Sequence, residues 1–337
     1  MKTIKDVAKA ADVSVATVSR VLNNDSAVAA ATREHVLQVI AEVGYAPNAL
    51  GRNLRRNATR RVLVLLPSIA HEFLAGVVRG AEQAAWRRGY QIVVSMTHAN
   101  AELERQYVHM LLQRSVDGIL FMSSHLPAQE LSELSARYPA VMCDECIEGA
   151  KVPYVGIDNE QAAYEVTRYL IKGGCRRIAI IAHPQGYASR LRTRGYQRAL
   201  REMGLCDRPE YHAKGDYSFA SGARACRQLF SLAEPPDAIF ASSDLMAAGV
   251  IRRMHEMGLR PGEDAAIFGF DNIHLARILT PTLSTVSQSK LQLGRKAMEL
   301  LLERIENPGC ESRDACIGHR LIFRESTRRI EKTAQAD

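Results

Sequence analysis

Apolar side chains in the first sixty residues recur at helical spacing in three short segments. The first helix is predicted to begin at Ile4, the second to run from Val15 to Leu22, and the third to run from about Ala31 to Val43. We expect the three helices to share one small core. Its predicted members are Ile4, Val7, Ala8, Val18, Val21, Leu22, Val36, Val39, Ile40 and Val43.

The ends of these segments carry residues that are typical of helix termini. Thr3 can cap the first helix together with Asp6, three residues further on. Residues 11–13 form a tight turn, and Ser14 can cap the second helix. Gly44 is a common C-terminal stop for the third helix. The spacing therefore predicts an all-α helix-turn-helix unit.

In such a unit the second helix enters the major groove of DNA, and its N-terminal residues reach base edges. Arg20 can pair with guanine through two hydrogen bonds, whereas Val15 and Ala16 offer only apolar contacts. Thr17 and Ser19 suit phosphate contacts. The predicted DNA-binding residues of the unit are Thr3, Ser14, Val15, Ala16, Thr17, Ser19, Arg20 and Asn23. The alternative is an ordinary helical hairpin in which Arg20 is merely solvated.

From residue 61 the pattern changes to short apolar strands that alternate with amphipathic helices. The first set has strands at 62–66, 90–95 and 118–122 and helices at 72–88 and 101–114. The second set has strands at 177–182, 238–242 and 265–270 and helices at 190–203 and 245–257. Arg79-Gly80 in the first set corresponds to Arg194-Gly195 in the second. The pattern predicts an α/β body of two similar lobes with parallel, doubly wound sheets.

Ligands of doubly wound sheets bind beyond the carboxyl ends of the strands, so a two-lobed body holds its ligand between the lobes. Carboxylates and arginine can bind hydroxyl groups, and aromatic rings can stack on a sugar or a base. The predicted effector-binding residues are Phe73, Asp144, Arg192, Tyr217, Asp244 and Asp271. Asp244 could instead cap a helix, and Asp158 could equally be a turn residue.

Charge is concentrated at the front of the chain. Residues 1–61 hold ten Lys or Arg and five Asp or Glu, while the remainder holds 34 and 32. A basic module before a nearly neutral body suggests a nucleic-acid partner, because phosphate neutralisation dominates such binding.

Composition excludes several other classes. No run of eighteen apolar residues is present and the N-terminus lacks the apolar core of a secretory signal, so we expect a cytoplasmic protein with no membrane contact. The seven cysteines are an odd number and suit buried thiols in a reducing compartment. Only Cys143 and Cys146 have metal-like spacing, and no second pair accompanies them. We expect neither metal nor cofactor.

Three motifs resemble the lactose/galactose repressor family: TIKDVA at residues 3–8, VSVATVSRVLN at 13–23 and GYAPN at 44–48. The resemblance implies a body like that of periplasmic sugar-binding proteins, in which the chain crosses between the lobes three times. It implies a DNA-binding domain at 1–46, a hinge at 47–60, a body at 61–330 and a tail at 331–337. Lobe 1 would span about 61–157 and 291–317, and lobe 2 about 160–287 and 321–330.

The linker resembles that family's hinge, which folds as a short helix in the minor groove of operator DNA. Leu54 matches the leucine that wedges between base steps and kinks the duplex. Arg55 and its neighbours Arg52 and Arg56 can neutralise nearby phosphates. Gly51 lowers the helix propensity of the segment, so we expect the hinge to be poorly ordered away from DNA.

The resemblance implies a transcriptional repressor that binds a near-palindromic operator as a homodimer and responds to a small molecule. Arg192 and Asp271 match effector-contact positions. GDYSF at 215–219, SDLMA at 243–247 and IFGFDNI at 267–273 are most similar to members that control nucleoside uptake and catabolism. Gly186 stands where purine-binding members carry an arginine, so a nucleoside or pentose effector is expected.

Some features leave alternatives open. HEFL at 71–74 departs from the family's Asn or Asp, Pro and two aromatics. The apolar stripe of helix 290–305 suits either a dimer surface or the core, and no C-terminal heptad follows Arg329 to build a tetramer. Whether the effector weakens or strengthens DNA binding is not encoded in any motif. Two alternative hypotheses are a sugar or nucleoside hydrolase that uses Asp144, Asp158 and Asp271, and a transport-type binding protein.

Overall fold

The computed structural model describes residues 2–22, 25–45, 58–311 and 313–328. It divides into two compact units, Met1–Thr59 and Arg60–Asp337. The described part of the first unit is helical, and that of the second is α/β with two sheets. The predicted fold class is confirmed.

The helices of the first unit are α1 (Ile4–Ala10), α2 (Val15–Leu22) and α3 (Ala30–Val43). They surround a core in which Val7, Val18 and Val36 are completely buried. Gly44 ends α3 with a φ of 65°, a left-handed conformation that glycine adopts without a steric penalty.

Lobe 1 of the body is built on a sheet with the strand order β11, β5, β4, β3, β1, β2, and every described pair in it is parallel. The strands are β1 (Arg61–Leu66), β2 (Gln91–Met96), β3 (Gly118–Phe121), β4 (Ala140–Cys143), β5 (Tyr154–Gly156) and β11 (Ala315–Cys316). The accompanying helices are α4 (Glu72–Arg87), α5 (Ala101–Leu112), α6 (Ala128–Arg137) and α12 (Lys290–Glu306).

Lobe 2 repeats the arrangement with the strand order β12, β10, β9, β8, β6, β7. The strands are β6 (Ile178–Ala182), β7 (His212–Lys214), β8 (Ala238–Ala241), β9 (Ala266–Phe270), β10 (Ser284–Ser287) and β12 (Arg320–Ile322). Only the pairing of β10 with β12 is antiparallel among the described strands. The helices are α7 (Asn159–Lys172), α8 (Tyr187–Glu202), α9 (Phe219–Phe230), α10 (Asp244–Glu256) and the short α11 (Leu275–Ile278).

The chain passes between the two sheets at residues 157–158, 288–289 and 317–319. These passages leave both sheets with their carboxyl ends beside the crossings. The site described below is made by residues that follow the strands at those ends.

Corresponding glycines bring helix pairs into backbone contact in both lobes. A Cβ atom on Gly80 of α4 would lie 2.2 Å from the carbonyl oxygen of Leu291 in α12. A Cβ atom on Gly195 of α8 would lie 2.0 Å from the carbonyl oxygen of Glu160 in α7. The two Arg-Gly pairs that correspond in sequence therefore occupy equivalent helix contacts in the two lobes.

Candidate functional site

The outward face of α2 carries exposed side chains of mixed chemistry. Val15 is 40% exposed, and Ala16 and Arg20 are also exposed. No carboxylate pairs with Arg20 within the described ranges, so its guanidinium is open to an external acceptor. The structure thus brings together on one surface the three residues predicted to reach base edges.

Hydroxyl groups at the starts of α1 and α2 form the local contacts expected of helix caps. The amide and the hydroxyl of Thr3 donate to Oδ2 of Asp6 at 2.7 and 2.9 Å, and these bonds hold the pKa of Asp6 below its usual value. The amide of Thr17 donates to the hydroxyl of Ser14 at 3.0 Å. These bonds fix the first turn of each helix.

The remaining predicted DNA contacts divide into two groups. Ser19 is half-buried on α2, beside the exposed face. Asn23, Leu54 and Arg55 lie outside the described residues.

The cleft between the lobes brings together acidic groups from both sheets and one arginine. Asp144 follows β4 in lobe 1, Asp271 follows β9 in lobe 2, and Arg192 lies on α8. Asp144 and Asp271 have φ values of 71° and 109°, which short acidic side chains tolerate better than most. Asp271 raises and Arg192 lowers the pKa of Asp144, so the three groups lie within electrostatic reach of one another.

Arg192 is held in a fixed orientation at the floor of the cleft. Its Nε donates to Oδ1 of Asn159 at 2.9 Å, and Nη1 donates to the carbonyl oxygen of Ser242 at 2.6 Å. The guanidinium lies over the ring of Phe270, 3.6 Å from its centroid. Two of its three nitrogens are therefore occupied, and the third, Nη2, has no acceptor among the described groups. An arginine fixed on an aromatic ring is well placed to donate to a ligand.

The carboxylates of the cleft are disfavoured in their ionised form. Burial raises the pKa of Asp144 well above its usual value, and the neighbouring Glu145 adds to the rise. Burial also raises the pKa of Glu145, and that of Asp271 to about 6 although Arg192 opposes the change. Three carboxylates around one guanidinium suit a ligand that is rich in hydrogen-bond donors and carries no negative charge.

An aromatic wall borders the acidic groups. The rings of Tyr217 and His183 are stacked with centroids 5.3 Å apart, and His71 of lobe 1 meets the edge of Tyr217 at 6.4 Å. Burial lowers the pKa of His71 and raises that of Tyr217. A Cβ atom on Gly186 would lie 2.8 Å from the hydroxyl of Tyr217, so the absence of a side chain at position 186 gives that hydroxyl its place.

Two predicted effector residues lie deeper than the others. Oδ1 of Asp244 accepts from the hydroxyl of Thr285 at 2.5 Å, and Oδ2 accepts from the amide of Ile273 at 2.8 Å. Both oxygens therefore have partners within lobe 2. The helix cap itself is Ser243, whose hydroxyl accepts from the amide of Met246. Phe73 is 4% exposed and belongs to a hydrophobic core.

Polar contacts join the lobes around the cleft. Oε2 of Glu145 in lobe 1 accepts from the amide of Ala188 at the start of α8 at 3.1 Å. Oε1 of Glu72 accepts from the amide of His274 at 2.6 Å. Nζ of Lys290 donates to the carbonyl oxygen of Asn272 at 3.0 Å. The HEFL segment thus contributes an interlobe contact through Glu72.

Sequence reasoning did not identify three residues that shape this cleft. Glu145 directly follows a predicted site residue, so the doubled acid after β4 was the signal that could have found it. Gln288 donates from Nε2 to Oδ1 of Asp271 at 2.6 Å, and Asn159 accepts from Arg192. Both lie at crossings between the lobes. Asp158 caps α7, with its carboxylate accepting from the amide of Gln161 at 2.8 Å.

Cys143 and Cys146, the two cysteines with metal-like spacing, lie at the end of β4 and in the segment that follows it. Cys143 is buried, Cys146 is half-buried, and burial raises the pKa of Cys146 to about 11. Over the described ranges no group of three or more His, Cys, Asp or Glu side chains is arranged to hold a metal ion. Within the same ranges, no helix has both the length and the apolar character needed to cross a bilayer.

The chain is similar to known families and to individual known proteins along most of its length. Residues 3–48 match the family model of bacterial regulatory proteins of the lacI family, and residues 167–327 match a periplasmic binding protein-like domain. The HTH-type transcriptional repressor CytR of Escherichia coli (strain K12) is 38% identical over 330 residues, which cover 97% of each chain. Catabolite control protein A of Priestia megaterium is 38% identical over 331 residues, which cover 97% of this chain and 99% of the relative.

A solved structure extends the similarity to three dimensions. The lac repressor dimer bound to operator and the anti-inducer ONPF has a TM-score of 0.88 at 28% identity, with 97% of this chain and 99% of the other covered. Both the helix-turn-helix unit and the two-lobed body are within the matched region. The chain therefore belongs to the lacI family of bacterial regulatory proteins.

Proposed function

We propose that this protein is a sequence-specific transcriptional repressor that binds operator DNA as a homodimer and changes its affinity for that DNA when a nucleoside or pentose occupies the cleft. The observation that carries the proposal is the exposed face of α2, where Arg20, which has no carboxylate partner among the described residues, stands beside the apolar side chains of Val15 and Ala16 on a folded helix-turn-helix unit. Such a face matches the base edges of a major groove.

The chain is assigned three working parts. Residues 1–46 bind DNA, with Arg20, Val15 and Ala16 on base edges and hydroxyl groups on phosphates. Residues 47–60 act as a hinge, in which Leu54 wedges between base steps and Arg55 neutralises a phosphate. Residues 61–330 form the effector-binding and dimerisation body. A two-fold dimer places two recognition helices in successive major grooves, which requires a near-palindromic operator.

The effector is assigned to the cleft between the lobes. Nη2 of Arg192 and the carboxylates of Asp144 and Asp271 bind its hydroxyl groups, and Tyr217 borders its ring. We assign Asp244 and Phe73 structural roles instead of direct effector contacts, since both oxygens of Asp244 have partners within lobe 2 and Phe73 is in the core. The acidic surroundings of Arg192 favour an uncharged nucleoside or pentose over a phosphorylated one.

The relatives support regulation rather than catalysis. CytR carries the name of a transcriptional repressor, and the lac repressor structure is a dimer on operator DNA. We therefore assign no enzymatic activity, and we place the protein in the cytoplasm, where its DNA would be. Release of free base or ribose from cytidine by the purified protein would favour a hydrolase instead.

The test begins with DNA and proceeds to ligands. Full-length protein is used to select duplexes from a random library, and the affinity for the selected duplex is measured with and without cytidine, D-ribose and adenine. We expect a near-palindromic site and a change in operator affinity with a neutral riboside or pentose, which should also raise the melting temperature by mass action. Leu54→Ala should reduce DNA bending and leave ligand affinity unchanged. Failure to enrich any duplex would contradict the proposal.

A further inference from the structure

Arg60, the first residue of the second compact unit, contacts lobe 1 through its amide, its carbonyl oxygen and its half-exposed guanidinium. Its amide donates to Oδ2 of Asp117 at 2.8 Å, and its carbonyl oxygen accepts from the amide of Gln91 at 2.8 Å. Its guanidinium lies 4.7 Å from the ring centroid of Tyr90 and 3.7 Å from Oε1 of Glu306. We call this set of contacts the Arg60 clamp.

The backbone conformation of Arg60 shows that the clamp holds it against its preference. Its φ is 54°, in the left-handed region that a branched-chain or long side chain rarely adopts. Such a conformation persists only where the surroundings over-determine it. A residue that simply led into β1 would need no such conformation, because strands accept any extended entry.

Glu306 connects the clamp to the far side of lobe 1. It is the last residue of α12 and also pairs with Arg88, at the end of α4. The other end of α12 begins with Lys290, which reaches Asn272 in lobe 2. The 17 residues of α12 therefore span about 25 Å between the interlobe contact and the clamp.

The two helices that end at the clamp cannot slide past each other. A Cβ atom on Gly294 of α12 would lie 1.8 Å from the carbonyl oxygen of Val77 in α4, and a Cβ atom on Gly80 would lie 2.2 Å from that of Leu291. Backbone-to-backbone contact of this kind packs the pair as one body, since close-packed elements transmit displacement rather than absorb it. At the cleft end, Glu72 of α4 contacts lobe 2 through the amide of His274.

We propose that Arg60 is a positioning residue for the effector response: the clamp fastens the C-terminal end of the linker to lobe 1, so that a rotation of lobe 1 against lobe 2 is passed directly to that end of the linker. The clamp is needed for the effector to alter DNA affinity, and it is not needed to bind the effector. The coupling part rests on the proposed function, whereas the clamp itself does not. Glu306 contacts Arg60 from the C-terminal end of α12, about 25 Å along that helix from the interlobe contact of Lys290.

The first measurement requires neither DNA nor effector. Hydrogen exchange of the full chain is followed by mass spectrometry in the wild type, Glu306→Gln and the control Glu303→Gln, an exposed carboxylate one turn earlier on α12. We expect amides 58–61 to exchange about threefold faster in Glu306→Gln, because the partly exposed ion pairs of Glu306 with Arg60 and Arg88 are lost. The control should keep wild-type protection throughout, and in Glu306→Gln the β1 amides after Arg61 should keep theirs. Unchanged exchange at 58–61 would overturn the clamp.

The second measurement tests whether the clamp is needed for the effector to change DNA affinity. Affinity for a duplex selected by the wild type is measured with and without saturating cytidine, and cytidine affinity is measured by calorimetry. The wild-type response of about tenfold should fall to about twofold in Glu306→Gln, with cytidine affinity unchanged. A merely structural role would lower both. The coupling role is overturned by a full response in Glu306→Gln, or by a wild type that binds its duplex but does not respond to cytidine. A wild type that selects no duplex refutes the proposed function instead. In that case the hydrogen-exchange result still tests the clamp.

Discussion

Replacing Asp271 with Asn should stabilise the unliganded body at alkaline pH while it removes effector binding. Burial raises the pKa of Asp271 to about 6 from 3.8, so the folded protein disfavours the ionised carboxylate. Asn carries no charge, keeps Oδ1 as acceptor for Gln288, and tolerates a positive φ as well as Asp does. The substitution therefore isolates the charge from the shape of the residue.

The magnitude follows from the two pKa values. A rise of about two pKa units corresponds to about 3 kcal/mol in favour of the unfolded state at about pH 8. Between the unfolded and folded values the native state binds more protons than the unfolded state, so wild-type stability falls as pH rises through that window. About half of the effect, roughly 1.4 kcal/mol, develops between about pH 5 and about pH 8.

Neighbouring groups act in the same direction. Asp271 raises the pKa of Asp144 and of Asp244, so its removal lowers both pKa values and eases the ionisation of both groups. Arg192, which lowers the pKa of Asp271, retains Asp144 as an acidic neighbour in the variant. The stability gain of Asp271→Asn at high pH should thus be no smaller than the single-residue figure.

The assay is urea unfolding of full-length protein at about pH 5 and about pH 8. Asp271→Asn should gain stability relative to wild type, and the gain should grow with pH by roughly 1.4 kcal/mol. Glu133→Gln on α6, an exposed carboxylate, serves as the charge-matched control and should show no such growth. A gain that is independent of pH, or a variant less stable than wild type at about pH 8, would refute the reasoning.

Three further predictions concern the other parts of the molecule. Arg20→Ala should relax base preference at one operator position by about 1–3 kcal/mol in gel-shift competition, and an unchanged preference profile would remove Arg20 from base readout. Arg192→Ala should weaken effector binding more than about tenfold in calorimetry because a charged donor is lost, and normal binding would mean that the cleft assignment is wrong. Gly294→Ala should destabilise the body by about 1–3 kcal/mol or more through its clash with α4, whereas Gly318→Ala, which meets nothing within 4 Å, should be nearly neutral; equal melting temperatures would contradict this.

The helix-turn-helix unit could be predicted from sequence because its boundaries are set by neighbouring residues. The bonds of Thr3 with Asp6, and of Ser14 with Thr17, join groups three positions apart. Gly44 ends α3 through its own backbone preference. Such local signals can be recognised in a single sequence, and so can the alternation of strand and helix that defines the body.

The parts that sequence reasoning missed depend on groups distant in the chain. Helix α8 begins at Tyr187, three residues before the predicted start at 190, and the reason lies partly in lobe 1: Glu145 accepts from the amide of Ala188. Immediately before the helix, the amide of Gly186 donates to Nδ1 of His183. An acceptor supplied from another lobe leaves no periodic signal. The same holds for Gln288, which reaches Asp271 only after the chain has folded.

The passages of the chain between the sheets determine the order in which the body can be completed. Lobe 1 includes α12 and β11, which are synthesised after every strand of lobe 2 except the last. Until α12 emerges from the ribosome, the glycine-lined surface of α4 has no helix to cover it, so the early half of the nascent chain exposes apolar surface. Five of the six strands of lobe 2 can assemble before α12 is made, and truncations just before Lys290 should yield aggregating protein instead of a smaller soluble lobe.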